Sequence, residues 1–85
     1  MAVKYRQGVT ALHEGDVVVM WDEPERAGRW SKLSSGEQLE VMVCGMWLSC
    51  CLLRECGGWV WEERDTGWRF LASSVPRASV RRAAL

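Results

Sequence analysis

The sequence predicts a mainly β domain in which five to six short antiparallel strands curl into a small barrel. Three observations carry this reading. Between Gly57 and Ala72, two aromatic-rich runs, Trp59-Val60-Trp61-Glu62-Glu63 and Trp68-Arg69-Phe70-Leu71-Ala72, flank Asp65-Thr66-Gly67, the pattern of a hairpin with a glycine-containing turn. Val17 to Trp21 is β-branched or apolar at every position, as befits a strand covered on both faces. Breaks at Gly15-Asp16, Ser34-Ser35-Gly36 and Ser73-Ser74-Val75-Pro76 divide the remainder into short runs.

Met1 to Glu14 carries weak alternation behind Lys4-Tyr5-Arg6 and is expected to form a short edge strand. After the central strand, Asp22 to Gly28 reads as a charged loop, and Arg29 to Leu33 as a short strand returning along it. Residues 38–56 admit two readings. As strands they divide at Cys44-Gly45-Met46, with Leu39, Val41 and Val43 on one side and Leu48, Cys50, Leu52 and Arg54 from the second strand. As a helix over about 37–55, Ser35 and Gln38 form a capping box and Gly57 ends it, giving an α+β alternative with that helix packed on a hairpin sheet. Gly45 in mid-element and apolar residues on every side of the helical wheel favour the strands. In the hairpin, Trp59, Trp61 and Glu63 share one face, as do Trp68, Phe70 and Ala72. Residues 77–85 close the chain as a basic tail, strand or short helix. No repeat or linker divides residues 1–85, which read as one domain.

A chain of 85 residues holds one small core and buries about two-thirds of its unfolded surface. Six tryptophans, each burying roughly 150–250 Å², exceed what such a core needs, so some aromatic surface is expected to meet a partner. Net charge is zero, which argues against a general polyanion binder. The distribution is uneven: all acidic side chains lie within 1–65, whereas 66–85 carries Arg69, Arg77, Arg81 and Arg82 and no acid. No apolar leader opens the sequence, and its most apolar window, Leu39 to Leu53, is too short and too interrupted to span a membrane. A cytoplasmic location without membrane contact is the expectation.

The order of elements from Trp59 to Arg82 (strand, tight turn, strand, one-turn break, strand) resembles that of a small SH3-like barrel. The acidic loop Asp22 to Glu25, beside Trp21, falls where such barrels place their long recognition loop. The resemblance is one of fold and carries no function with it.

Four cysteines, Cys44, Cys50, Cys51 and Cys56, suggest a metal, but their spacing lacks the short C-x₂₋₄-C knuckle of zinc sites. On a strand, Cys50 and Cys51 point to opposite faces, so buried reduced thiols and no metal are expected. His13 is the only histidine and reads as a surface loop residue beside Glu14. No nucleophile elbow, P-loop or dinucleotide fingerprint occurs, and the carboxylates Asp16, Asp22, Glu23, Glu25, Glu62 and Glu63 read as turn or solvated-face residues. An enzyme ranks last among the function classes, and no catalytic residue or cofactor is assigned.

An aromatic groove fits better. Trp21 and Trp30 bracket Asp22, Glu23 and Glu25, and Trp59 and Trp61 share a strand face. Such a trough suits a polyproline-II segment or, with its acids, a cation held over the rings. The predicted function is a non-enzymatic binding module that meets a protein partner, or a second copy of itself, through Trp30, Trp59 and Trp61. The alternative is a nucleic-acid-binding barrel, with Arg69, Arg77, Arg81 and Arg82 on the backbone and tryptophans stacking bases. The expected core is Val17, Val19, Leu39, Val41, Leu48 and Leu52.

Overall fold

Antiparallel pairing runs through the computed structural model, which describes residues 4–26 and 28–84. Its strands are β1 (Lys4–His13), β2 (Asp16–Trp21), β3 (Ser31–Lys32), β4 (Gln38–Val43), β5 (Met46–Glu55), β6 (Gly58–Glu63), β7 (Arg69–Leu71) and β8 (Ser79–Ala84). Single 3₁₀ turns at Pro24–Arg26 and Ala72–Ser74 interrupt them. All eight strands belong to one sheet in the order β3-β2-β1-β8-β4-β5-β6-β7.

The reading of 38–56 as two strands holds, and the helix does not form. Cys44 and Gly45 both adopt positive φ, 50° and 79°, as the two central residues of a tight hairpin turn. Glu14 and Gly15 join β1 to β2 in the same way, at 51° and 82°. A helix through Gly45 would have to give up this turn. The register Leu39↔Cys50, Val41↔Leu48 then carries the apolar side chains of β4 and β5 to one face.

That face is the core. Val17, Val19 and Trp21 from β2, Leu39 and Val41 from β4, Cys50 and Leu52 from β5, Trp59 and Trp61 from β6 and Val80 from β8 are all buried, with Leu33, Ala72 and Ala78 beside them. Leu48 is only half-buried and packs on the margin. The sheet curls around these residues without closing: its end strands β3 and β7 are not paired to each other. The expected closed barrel of five to six strands is therefore an open, curled sheet of eight. The indole Nε1 of Trp59 donates to Gly15 O at 2.8 Å, so one side-chain hydrogen bond reaches from β6 to the β1–β2 turn.

The first strand differs from expectation, whereas the last takes one of the forms expected of it. The expected short edge strand is the ten-residue β1, in the interior of the sheet. It is long because it serves two partners in succession, pairing with β8 along Lys4–Val9 and with β2 along Gly8–His13. Its core-side residues include Arg6, Gly8 and Thr10, which mask the usual apolar alternation. Of the forms read for residues 77–85, the strand is the one present: residues 79–84 form β8, which pairs with both β1 and β4. Buried Thr10 secures it: its Oγ1 accepts from Ala78 N at 3.0 Å, and its own amide donates to Ala78 O at 2.9 Å.

Candidate interaction surface

The tryptophans named from the sequence do not share one site. Trp61 is 1% exposed and Trp59 9%, so both rings belong to the core and cannot anchor a partner. Trp21 is buried too, and the ring face that was expected to attract an outside cation is served from within. The Arg6 guanidinium lies 4.5 Å from the Trp21 ring centroid, and that of Arg82 lies 5.6 Å away. Arg6 also pairs with Glu23. A trough of about 500 Å³ does run beside Trp21, Asp22, Glu23 and Pro24, and Gly8 and Met20 also line it. Asp22 and Glu25 are exposed at the surface. Trp30, exposed, lines a different concavity with Leu12, His13 and Arg77.

The arginines are equally dispersed. Arg69 pairs with Glu55 and, at 3.3 Å, with Glu62. Arg81 forms a two-pronged bond with Glu40, at 3.1 and 3.2 Å, between the rings of Tyr5 and Trp47 at 4.0 and 4.3 Å. Arg82 meets Glu37 at 3.3 Å. Carboxylates from other strands and from the segment before β4 thus neutralise three of the four, which breaks up any continuous phosphate track.

Two of the most exposed apolar side chains point elsewhere. Met46 is 61% and Trp68 51% exposed, and both line one concavity of about 420 Å³ with Val43, Cys44, Leu48, Glu63 and Thr66. Val43, Leu48 and Phe70 also pack against the core, so this cradle is where the core opens to solvent between the β4–β5 turn and the β6–β7 turn. Phe70 supports Trp68 with ring centroids 4.9 Å apart.

Trp68 is held in place although it is exposed. The buried Glu63 carboxylate accepts from the amides of Asp65 (2.6 Å) and Thr66 (3.0 Å) and from the Thr66 hydroxyl (2.9 Å). Thr66 Oγ1 in turn accepts from Trp68 N at 3.1 Å, and Glu63 N donates to Trp68 O at 2.7 Å. The Asp65 amide, then the Thr66 hydroxyl, hold the Glu63 carboxyl below its ordinary value. A depressed folded value stabilises the fold above the unfolded value of about 4.3, and that contribution is lost as pH falls through the folded value. Wild type should therefore lose more stability between neutral pH and pH ~3 than Glu63→Gln, read as the shift in urea midpoint. Equal shifts would show that the turn does not depend on the charge.

The sequence did place Trp68 on one face with Phe70. Its position beside the turn, at the end of that face, is the signal that it lies outside the core.

Among the described residues no cluster of three potential ligands gathers for a metal. Cys50 is buried and Cys51 half-buried, but Cys44 and Cys56 are exposed at hairpin turns, contrary to the expectation that all four are interior. Burial, followed by Glu63 and Cys51, pushes the Cys50 thiol up to about 12, so it stays protonated and unreactive at neutral pH. No helix among the described residues is long and apolar enough to cross a membrane. No protein-family model, curated protein or solved structure matches this chain.

Proposed function

We propose that this protein is a non-enzymatic protein-interaction module whose working surface is the Met46–Trp68 cradle and whose partner is a second copy of itself. The single observation carrying this reading is the exposure of Met46 and Trp68 across one apolar concavity continuous with the core. Besides the Cys44 thiol and the Trp68 indole N–H, the polar side chains there are Glu63 and Thr66, which already serve the turn. A two-fold interface needs a knob and a hole on the same patch, and Met46 stands on the rim of the hole it would fill in a copy. Zero net charge adds no long-range repulsion between copies.

The order behind the SH3-like resemblance, with β6, a tight turn, β7, the turn at Ala72–Ser74 and β8, fits an opened and extended form of that barrel. Four free thiols, two of them exposed, fit a reducing, cytoplasmic setting.

Light scattering tests the reading. Wild type at micromolar concentration should exceed 9.7 kDa, and Met46→Glu or Trp68→Glu should restore the monomer by weakening association about thirtyfold or more. A wild-type monomer, or a dimer indifferent to both changes, would refute it.

A further inference from the structure

On the sheet's outer face, away from the core and from the cradle, a slot of about 350 Å³ is lined by Ala11, Leu12, His13, Val18, Trp30 and Arg77. Its construction follows from the register. Ala11 pairs with Val18, and both alternate away from the core-facing residues of β1 and β2. β1 runs between β2 and β8, so Trp30 arrives from the β2–β3 side and Arg77 from the β8 side. Ala11 is the small residue between them.

The two walls are chemically unlike and both are available. The Trp30 indole is 42% exposed. Arg77, alone among the four C-terminal arginines, has no carboxylate, hydrogen-bond or ring partner among the described residues. A guanidinium presents a planar fork of donors suited to a carboxylate or phosphate. An indole over an apolar floor suits a flat ring. Packing of Trp30 on the sheet explains the tryptophan, but it leaves the unanswered cation beside it without a role.

We propose that this slot binds one nucleotide unit, with the base against Trp30 over Ala11 and Val18 and the phosphate on Arg77. The volume is of the size of a base with its sugar. The lining offers few polar groups to read a base edge, so the site discriminates weakly among bases. The same chemistry comes from a free mononucleotide or from one residue of a single strand, and affinity separates the two.

The test follows the Trp30 indole N–H by NMR, assigned with Trp30→Phe, during titration with dTMP and with an oligo-dT strand. The Met46→Glu background keeps the result independent of self-association. Saturable shifts should centre on Trp30. Arg77→Gln should weaken binding about tenfold at low salt, whereas Arg64→Gln should leave it unchanged. Ala11→Leu fills the floor on the solvent side of the sheet and should abolish the shifts while the spectrum keeps its folded dispersion. Tighter binding of the strand identifies it as the source, and equal binding per site identifies the free nucleotide. Absence of Trp30 shifts with either probe at millimolar concentration would overturn the proposal. So would wild-type binding by both Arg77→Gln and Ala11→Leu.

Discussion

Trp61→Ala is expected to cost about 3–5 kcal/mol, a large fraction of a whole margin of order 5–10 kcal/mol. Trp61 is 1% exposed and sits between Leu52 of β5 and Phe70 of β7, so the truncation opens a cavity shared by three strands. Trp59→Ala should also be costly, because it removes the indole that donates to Gly15 O as well as core volume. Trp68→Ala, at an exposed ring, should shift stability by no more than about 1 kcal/mol. Urea midpoints of the three variants check the assignment together. A Trp61 variant as stable as the Trp68 variant would mean that the Trp61 ring does not fill the core.

Gly8→Ala is expected to destabilise by about 1–3 kcal/mol even though it adds one methyl group and stiffens the unfolded chain. A Cβ at Gly8 would stand 2.7 Å from the Met20 carbonyl oxygen, 3.0 Å from Trp21 Cε3 and 3.1 Å from Val19 Cγ2. The nearest of these is backbone in a paired strand and cannot swing aside. Gly8 also marks the handover in β1, paired with Trp21 on one side and Val80 on the other. Spreading β1 from β2 there disturbs both ladders. Amide exchange along β2 gives the direct check: protection should fall around Val19 to Trp21 in the variant. Unchanged protection and midpoint would show that the sheet absorbs the methyl without moving.

The strands were legible wherever one face is uniformly apolar. Val17 to Trp21, Leu39 with Val41, and Cys50 with Leu52 all lie where alternation and turn residues place them. β1 was obscured because small or polar residues, Gly8 and Thr10 among them, occupy its inner face. Hairpin alternation correctly grouped Trp59 with Trp61, but a period of two says which residues share a face and not which face is inside. Burial decides that, and burial depends on strands distant in sequence. The partners of the C-terminal arginines were hidden for the same reason. Their excess charge is local, whereas the answering carboxylates Glu37, Glu40, Glu55 and Glu62 come from β5, β6 and the segment around β4. Whether the sheet closes depends on what its two end strands meet, which no local pattern records.

The pairing of β1 with β8 brings Lys4 directly opposite Ala84. Tension applied through these two positions pulls across the ladder rather than along it. Such a load meets the hydrogen bonds one pair at a time and peels them from the outer end inward, instead of straining them all at once. The molecule should therefore open under weak force when pulled this way, with β8 leaving first. Once β8 is gone, the remaining strands fall into two groups, β1–β3 and β4–β7, that no longer share a backbone ladder.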